Sequence, residues 1–352
     1  MDRRRFLNVA AGSGVALAAL PLLGERAEAV AGTRGGPTEG GDPAKGVIKG
    51  IGPGGTMMLD GQHAGWFYSQ EGGTAVGQVV LEPPGADLHQ RKHIGGVKYE
   101  DITVTCGTGM SRQFYQWIKD SFDHKYSRKN GAIISADFDH KEHSRRNFTD
   151  ALITETRMPA LDAASKDVAF MTITIDPEVT GRSTANAGQP LPAPRTNVQK
   201  LWTPANFRLR IDGLDDACKK VNKIEALVVK QKVVENPGQV PVEPTMLEIP
   251  NLVITLPEAE GRRVFPETNN FYEWHEDFVI RGNNGQDKER GGTLEYLTPD
   301  LREVLFTLRF YNLGVFKLTP EQEGEGGERV RRIKVEMYCE DMRFSFGNAA
   351  LG

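Results

Sequence analysis

Gln113-Phe114-Tyr115-Gln116-Trp117 has a second version in Asn270-Phe271-Tyr272-Glu273-Trp274. Each version follows a run of alternating apolar and polar residues and opens a run with helical apolar spacing. In the first, Ile102, Val104 and Cys106 alternate with Thr103 and Thr105. Beyond a capping Ser111, Phe114, Trp117, Ile118 and Phe122 then line one helical face. In the second, Asn251-Leu252-Val253-Ile254-Thr255 takes the strand's place, and Phe271, Trp274 and Phe278 take the helix's. Self-similarity at a long offset reads as one β-rich unit written twice.

Landmarks on either side recur in the same order. Met57-Met58-Leu59 runs into an Asp60-Gly61 turn and the strand Trp66-Phe67-Tyr68, and Phe207 to Ile211 runs into Asp212-Gly213. Val79-Val80-Leu81 precedes a polar loop from Pro83 to Gly95. An Asn130-Gly131 turn opens Ala132-Ile133-Ile134, which should form a hairpin with Arg146 to Thr156; Gly292-Thr293-Leu294 matches Gly131-Ala132-Ile133. Met171, Ile173 and Ile175 close the first unit, and Ile333, Val335, Met337 and Cys339 close the second, which aligns Val168 with Ile333. The expected fold is mainly β with flanking helices: two tandem β-barrel or sandwich domains, each with one helix, over 56–180 and 205–352.

The chain has 352 residues, which suits two cores rather than one. Its 39 Gly and 20 Pro follow no collagen-like period. A net charge of −4, from 43 basic and 47 acidic side chains, argues against nucleic-acid binding as the main task. Asp2-Arg3-Arg4-Arg5-Phe6-Leu7-Asn8 resembles a twin-arginine signal, followed by the weakly apolar Val9 to Leu23 and an Ala27-Glu28-Ala29 cleavage site. That stretch is too short to span a membrane, and no other stretch could. The segment 1–29 therefore reads as a signal peptide, 30–55 as a flexible Gly-rich leader and 181–204 as a Pro-rich linker. Export places the protein in the periplasm or outside the cell; the alternative is cytoplasmic assembly within a tail-like particle.

Chemistry-bearing constellations are sparse. Cys106, Cys218 and Cys339 have no metal spacing; Cys106 and Cys339 fall on apolar phases, while a disulfide between some pair stays open. Asp137-Phe138-Asp139-His140-Lys141-Glu142-His143 is the densest polar run, and its His140 and His143 would face one metal only if the hairpin tip brought them together. An exposed turn accounts for it better, because Lys141, Arg145 and Arg146 add cations there. Glu321 to Gly327 reads as a hairpin loop without calcium-loop spacing. Arg91-Lys92-His93 and Arg128-Lys129 read as solvated loops or phosphate contacts, and Trp117 and Trp274 as core anchors. No catalytic, cofactor-binding or metal residue is singled out, no cofactor is implied, and the expectation is a protein that is not an enzyme.

Lys98-Tyr99-Glu100-Asp101-Ile102-Thr103-Val104 and Phe114-Tyr115-Gln116-Trp117-Ile118-Lys119-Asp120 resemble the phage tail-tube protein family. So do Arg128 to Ile133, Asn147 to Ala151 and Leu161 to Val168. The resemblance covers about 56–180; over 205–346 it rests on strand order and Phe271-Tyr272-Glu273-Trp274. It implies a structural, self-assembling protein of a phage-tail or contractile-injection type particle, with six-domain rings stacked into a tube. Two domains per chain would give a pseudo-sixfold trimer, or six chains whose second domains decorate the outside. Sheath and baseplate proteins are the implied partners. The alternative class is an exported β-domain module that recognises a surface glycan or protein, and a third is an exported hydrolase or metalloenzyme whose polar residues come together only in three dimensions, which tight zinc or loss of an activity on changing His140 and His143 to Ala would support.

Overall fold

Threonine, valine and isoleucine in alternation become sheet wherever one face meets a core. The structure, a computed structural model, describes residues 55–84, 88–137, 139–192, 202–234, 243–258, 269–323 and 330–351. The signal segment 1–29 and all but the last residue of the leader 30–55 lie outside the described residues.

Strand β1 (Gly55–Leu59) and β2 (Gln62–Phe67) form a hairpin whose Asp60 and Gly61 have φ of 47° and 80°, the doubly left-handed turn that Asp-Gly favours. After β3 (Ser69–Gly72), β4 (Ala75–Leu81) and β5 (Lys92–Tyr99) pair as a second hairpin. The loop expected from Pro83 to Gly95 is therefore shorter: Val79 faces Ile94, and Val80 faces His93, so the ladder extends through Lys92. Next come β6 (Ile102–Cys106), α1 (Arg112–Phe122), β7 (Lys129–Ala136), β8 (Glu142–Met158), β9 (Leu161–Asp162), β10 (Met171–Asp176) and β11 (Val179–Ser183). Asn130-Gly131 is not a turn. It lies inside β7, where Gly131 faces Leu59 and a side chain would sit 2.2 Å from the Met58 carbonyl oxygen. The β7–β8 hairpin turns instead at residues 137–141.

The second half runs β12 (Phe207–Ile211), α2 (Asp215–Cys218), β13 (Lys223–Ile224), β14 (Leu227–Val234), β15 (Glu243–Glu248) and β16 (Leu252–Pro257). Asp212-Gly213 leads into α2 rather than into a returning strand. Helix α3 (Asn269–His275) continues into a π-helical turn, Glu276–Ile280, and Phe271, Trp274 and Phe278 are all buried, as their spacing implied. Then follow β17 (Arg290–Leu297), β18 (Val304–Glu323) and β19 (Val330–Phe346). The expected Glu321–Gly327 loop overlaps the end of β18, and residues 324–329 lie outside the described residues.

One sheet runs β2-β1-β7-β8-β10-β6-β3, with β11 and the β14–β15 hairpin joined to β8. The other runs β12-β17-β18-β19-β16-β13-β9. The successions β1-β7-β8-β10-β6 and β12-β17-β18-β19-β16 thus share one order, and their registers run in step. Leu59 faces Gly131 as Ile211 faces Gly292, and Ile173 faces Val104 as Val335 faces Ile254. This second pairing corrects the alignment of the closing strands by three residues: Ile173 corresponds to Val335, not to Tyr338.

Irregularities fall at corresponding places as well. The pairing slips between Lys129 and Gly131 and again between Arg290 and Gly292, then between Ser135 and Ala136 and again between Tyr296 and Leu297. Thr154 is the extra residue of β8 against β10, and Phe316 is that of β18 against β19. At the first slip, Asp150 and Asn312 are both left-handed, with φ of 49° and 55°. A bulge bends and twists its strand, so each pair of slips bends the two sheets at matching positions.

The boundary expected at 181–204 is crossed in both directions. Contacts gather Gly50–Gly352 into one unit. β14 from the second half pairs with β8 of the first, and β9 from the first pairs with β13 of the second. Residues 181–183 belong to β11, which pairs with β8, while 193–201 lie outside the described residues. Aromatic packing follows the same path: Tyr115 of α1 packs at a tilt against Phe306 and Phe346, with ring centroids 5.3 and 5.5 Å apart, and Phe306 meets Trp202 at 5.3 Å. Arg343 of β19 reaches the Phe122 carbonyl and the Asp123 carboxylate at the end of α1, each at 3.4 Å.

Candidate assembly surface

The residues singled out for chemistry have structural surroundings. Ser111 caps α1, its Oγ accepting the Phe114 N–H at 3.3 Å. His140 sits left-handed at the β7–β8 turn, half-buried and edge-on to Trp66 at 5.6 Å, while His143 is exposed on β8. The Asp137 carboxylate accepts the N–H groups of Asp139 and Lys141 at 2.9 and 2.8 Å, which shapes the turn. Among the described residues no group of three or more His, Cys, Asp or Glu could hold a metal ion.

The basic runs sit where loops enter strands, with Arg91 and Arg128 just outside β5 and β7 and Lys92, His93 and Lys129 inside them. Lys129 bonds Asp60 at 2.6 Å, Arg128 donates to the Asp150 carbonyl at 2.8 Å, and Lys92 and His93 belong to β5, with His93 beside Glu82 at 3.1 Å. Trp117 is buried and donates its ring N–H to the Ser127 carbonyl at 2.6 Å. Trp274 lies under the Arg290 guanidinium at 4.8 Å. Cys106, Cys218 and Cys339 are buried free thiols, and burial pushes Cys106 up to about 12.

What distinguishes this surface is unequal strand coverage. β14 lies along β8, with Leu227 opposite Met158, Val229 opposite Thr156 and Lys230 opposite Glu155, where the last pair is 3.5 Å apart. This cover leaves Thr156 and Met158 only 2% and 1% exposed. The β4–β5 hairpin, in contrast, pairs with no other strand among the described residues. Val76, Val79, Val80, Leu81, Ile94 and Val97 on it are between 41% and 61% exposed. A two-stranded ribbon with that much aliphatic surface is marginal alone in water and offers its edges to another strand.

A second open edge belongs to β18. Its pairing with β17 ends at Leu313, and from there to Glu323 only β19 pairs with it among the described residues. Phe316 is 38% exposed, and Lys317 and Pro320 are exposed. The sequence reading missed β5, and with it the hairpin, because Arg91, Lys92 and His93 made its start look like a polar loop. Ile94 and Val97, aliphatic residues in a run that ends at Tyr99, were the available signal.

Comparison with known proteins bears on this region. Residues 74–179, from the β4–β5 hairpin to β11, match the family model of T4-like virus tail tube protein gp19. Among solved structures, similarity is found to a chain of the extracellular contractile injection system PVC sheath-tube complex in its extended state. That match has 20% identity over 36% of this chain and 86% of the other, with a TM-score of 0.32. A chain of the anti-feeding prophage baseplate matches at 15% identity over 40% of this chain and 91% of the other, with a TM-score of 0.28. Hcp1 from Flavobacterium johnsoniae matches at 13% identity over 40% and 95%, with a TM-score of 0.24. No curated protein matches the chain.

Proposed function

We propose that this chain is a structural, self-assembling tail-tube-like protein of a phage-tail or contractile-injection type particle. It consists of two tube units in tandem, over 56–180 and 205–352, the second divergent. The observation that carries the reading is the tail-tube family match over 74–179, whose strand order and pairing slips recur in the second half. Six such units close one ring, so three chains form a ring of pseudo-sixfold symmetry, and rings stack into a tube. Sheath and baseplate proteins are its partners within the particle. Its work is shape rather than catalysis, and the surroundings of Ser111, His140 and His143 fit that role.

Asp2 to Asn8 supports export by the twin-arginine route, which carries folded proteins. Light scattering on the purified chain, with negative-stain imaging, tests the assembly. Rings or tubes support it; a monomer or dimer at high concentration overturns it and favours the exported binding module instead.

A further inference from the structure

The recurrence includes the hairpins. Ser69 of β3 faces Thr105 as Lys223 of β13 faces Thr255, and Val76 of β4 faces Lys98 as Lys230 of β14 faces Glu248. Both hairpins slip register at the same step, between Gln78 and Val79 and between Lys232 and Val233. β4 is therefore the counterpart of β14, and β18 the counterpart of β8, with Leu318 at the place of Thr156 and Pro320 at that of Met158. Within the chain β14 lies on β8, but β4 and the outer edge of β18 do not meet.

We propose that β4 of one chain docks antiparallel along Lys317–Pro320 of β18 in a second copy, repeating between chains the joint that β14 makes with β8 inside one. This rests on the tandem tube reading above. Carrying the β14–β8 register over places Thr74 opposite Thr319, Ala75 opposite Leu318 and Val76 opposite Lys317. The side chains are complementary in a way that differs from the inner joint. Val229 over Thr156 becomes Ala75 over Leu318, so the larger side chain moves from the added strand to the receiving one. The Lys230–Glu155 ion pair becomes Val76 beside Lys317, whose charge is already held by Glu336 at 2.6 Å. The two joints are therefore not interchangeable.

The occupant is a second copy because, among the described residues, the only other edge of this kind, on β8, is filled by the chain's own β14. That occupancy also excludes a ring in which first units join one another through this edge. The contact is head-to-tail, one chain's first unit giving and the next chain's second unit receiving, and such contacts make rings when the rotation closes.

The test uses two full-length variants, Thr74→Cys and Thr319→Cys, carrying tags of different size and mixed before mild oxidation. Directly opposed strand residues bring their Cβ atoms about 4.5–5.5 Å apart, close enough for a disulfide after small adjustment. The native thiols are buried and do not compete. The expected result is a disulfide-linked heterodimer on a non-reducing gel, at least tenfold more abundant than either homodimer. Rings by microscopy without that heterodimer overturn this joint while leaving the tube reading in place. Absence of any assembly at high concentration overturns both.

Discussion

Replacing Phe306 with alanine tests whether the two halves fold as one body. Phe306 lies near the start of β18, is fully buried, and meets Tyr115 of α1 at 5.3 Å, Trp202 at 5.3 Å, Phe344 at 5.7 Å and Tyr296 at 6.4 Å. Truncating a buried aromatic leaves a cavity and costs about 3–5 kcal/mol. Each aromatic pair contributes about 0.5–1.5 kcal/mol beyond area, and these terms overlap rather than add. With a total stability of about 5–15 kcal/mol, the variant stays folded but melts roughly 10 °C lower. Hydrogen exchange is the decisive assay, because it reports each element separately. Amides of α1 and of β17 should lose protection together, since Tyr115 and Arg343 tie the first half to the second. Loss confined to β17, with α1 unchanged, would refute the single body.

Other outcomes follow from named contacts. Ser111→Ala removes the cap of α1 and should cost about 1 kcal/mol in a denaturant melt, while Ser111→Gly should cost only a few tenths. Thiol reagents at pH 8 should leave all three cysteines unmodified in the native protein and modify all three in denaturant; burial holds Cys218 at about 12 and Cys339 at about 11. Partial burial pushes the Asp123 carboxyl up, but Lys119 and Arg343 outweigh it and hold the group below its ordinary 3.8. A lowered folded pKa stabilises above the ordinary value and ceases to as pH falls through the folded one. The stability gap between the native chain and Asp123→Asn should therefore be constant near neutrality and shrink below about pH 4, read from melts across pH.

Much of this architecture was legible in local pattern. The Ile102 to Cys106 alternation, the Ser111 cap and the Phe114–Phe122 face appear as read, because one buried face fixes strand and helix phase directly. The second helix was legible through Phe271, Trp274 and Phe278, although its π-helical turn was not. Asn130-Gly131 misled because a dipeptide that favours turns also suits a bulge, and Gly131 is required there by the close Met58 carbonyl. The three-residue error in aligning the closing strands came from starting the match at Val168, three residues before β10 begins; an odd shift puts every side chain on the wrong face, so the alternation itself argued against it.

The surface was harder to read than the fold. Lys92 and His93 hid β5, and nothing local indicates that Leu227 to Lys230 leave their own half to cover Thr156 and Met158. Coverage is a relation between distant strands, so it emerges only in three dimensions. Once visible, the contrast between the covered β8 and the open β18 is what gives the proposed assembly its direction.

Native mass measurement on the assembled particle, matched to face-on images of the same sample, is the most direct trial of that scheme. Two lobes for every polypeptide, six lobes from three chains, is the predicted outcome. A ring in which each lobe weighs one whole polypeptide would contradict it.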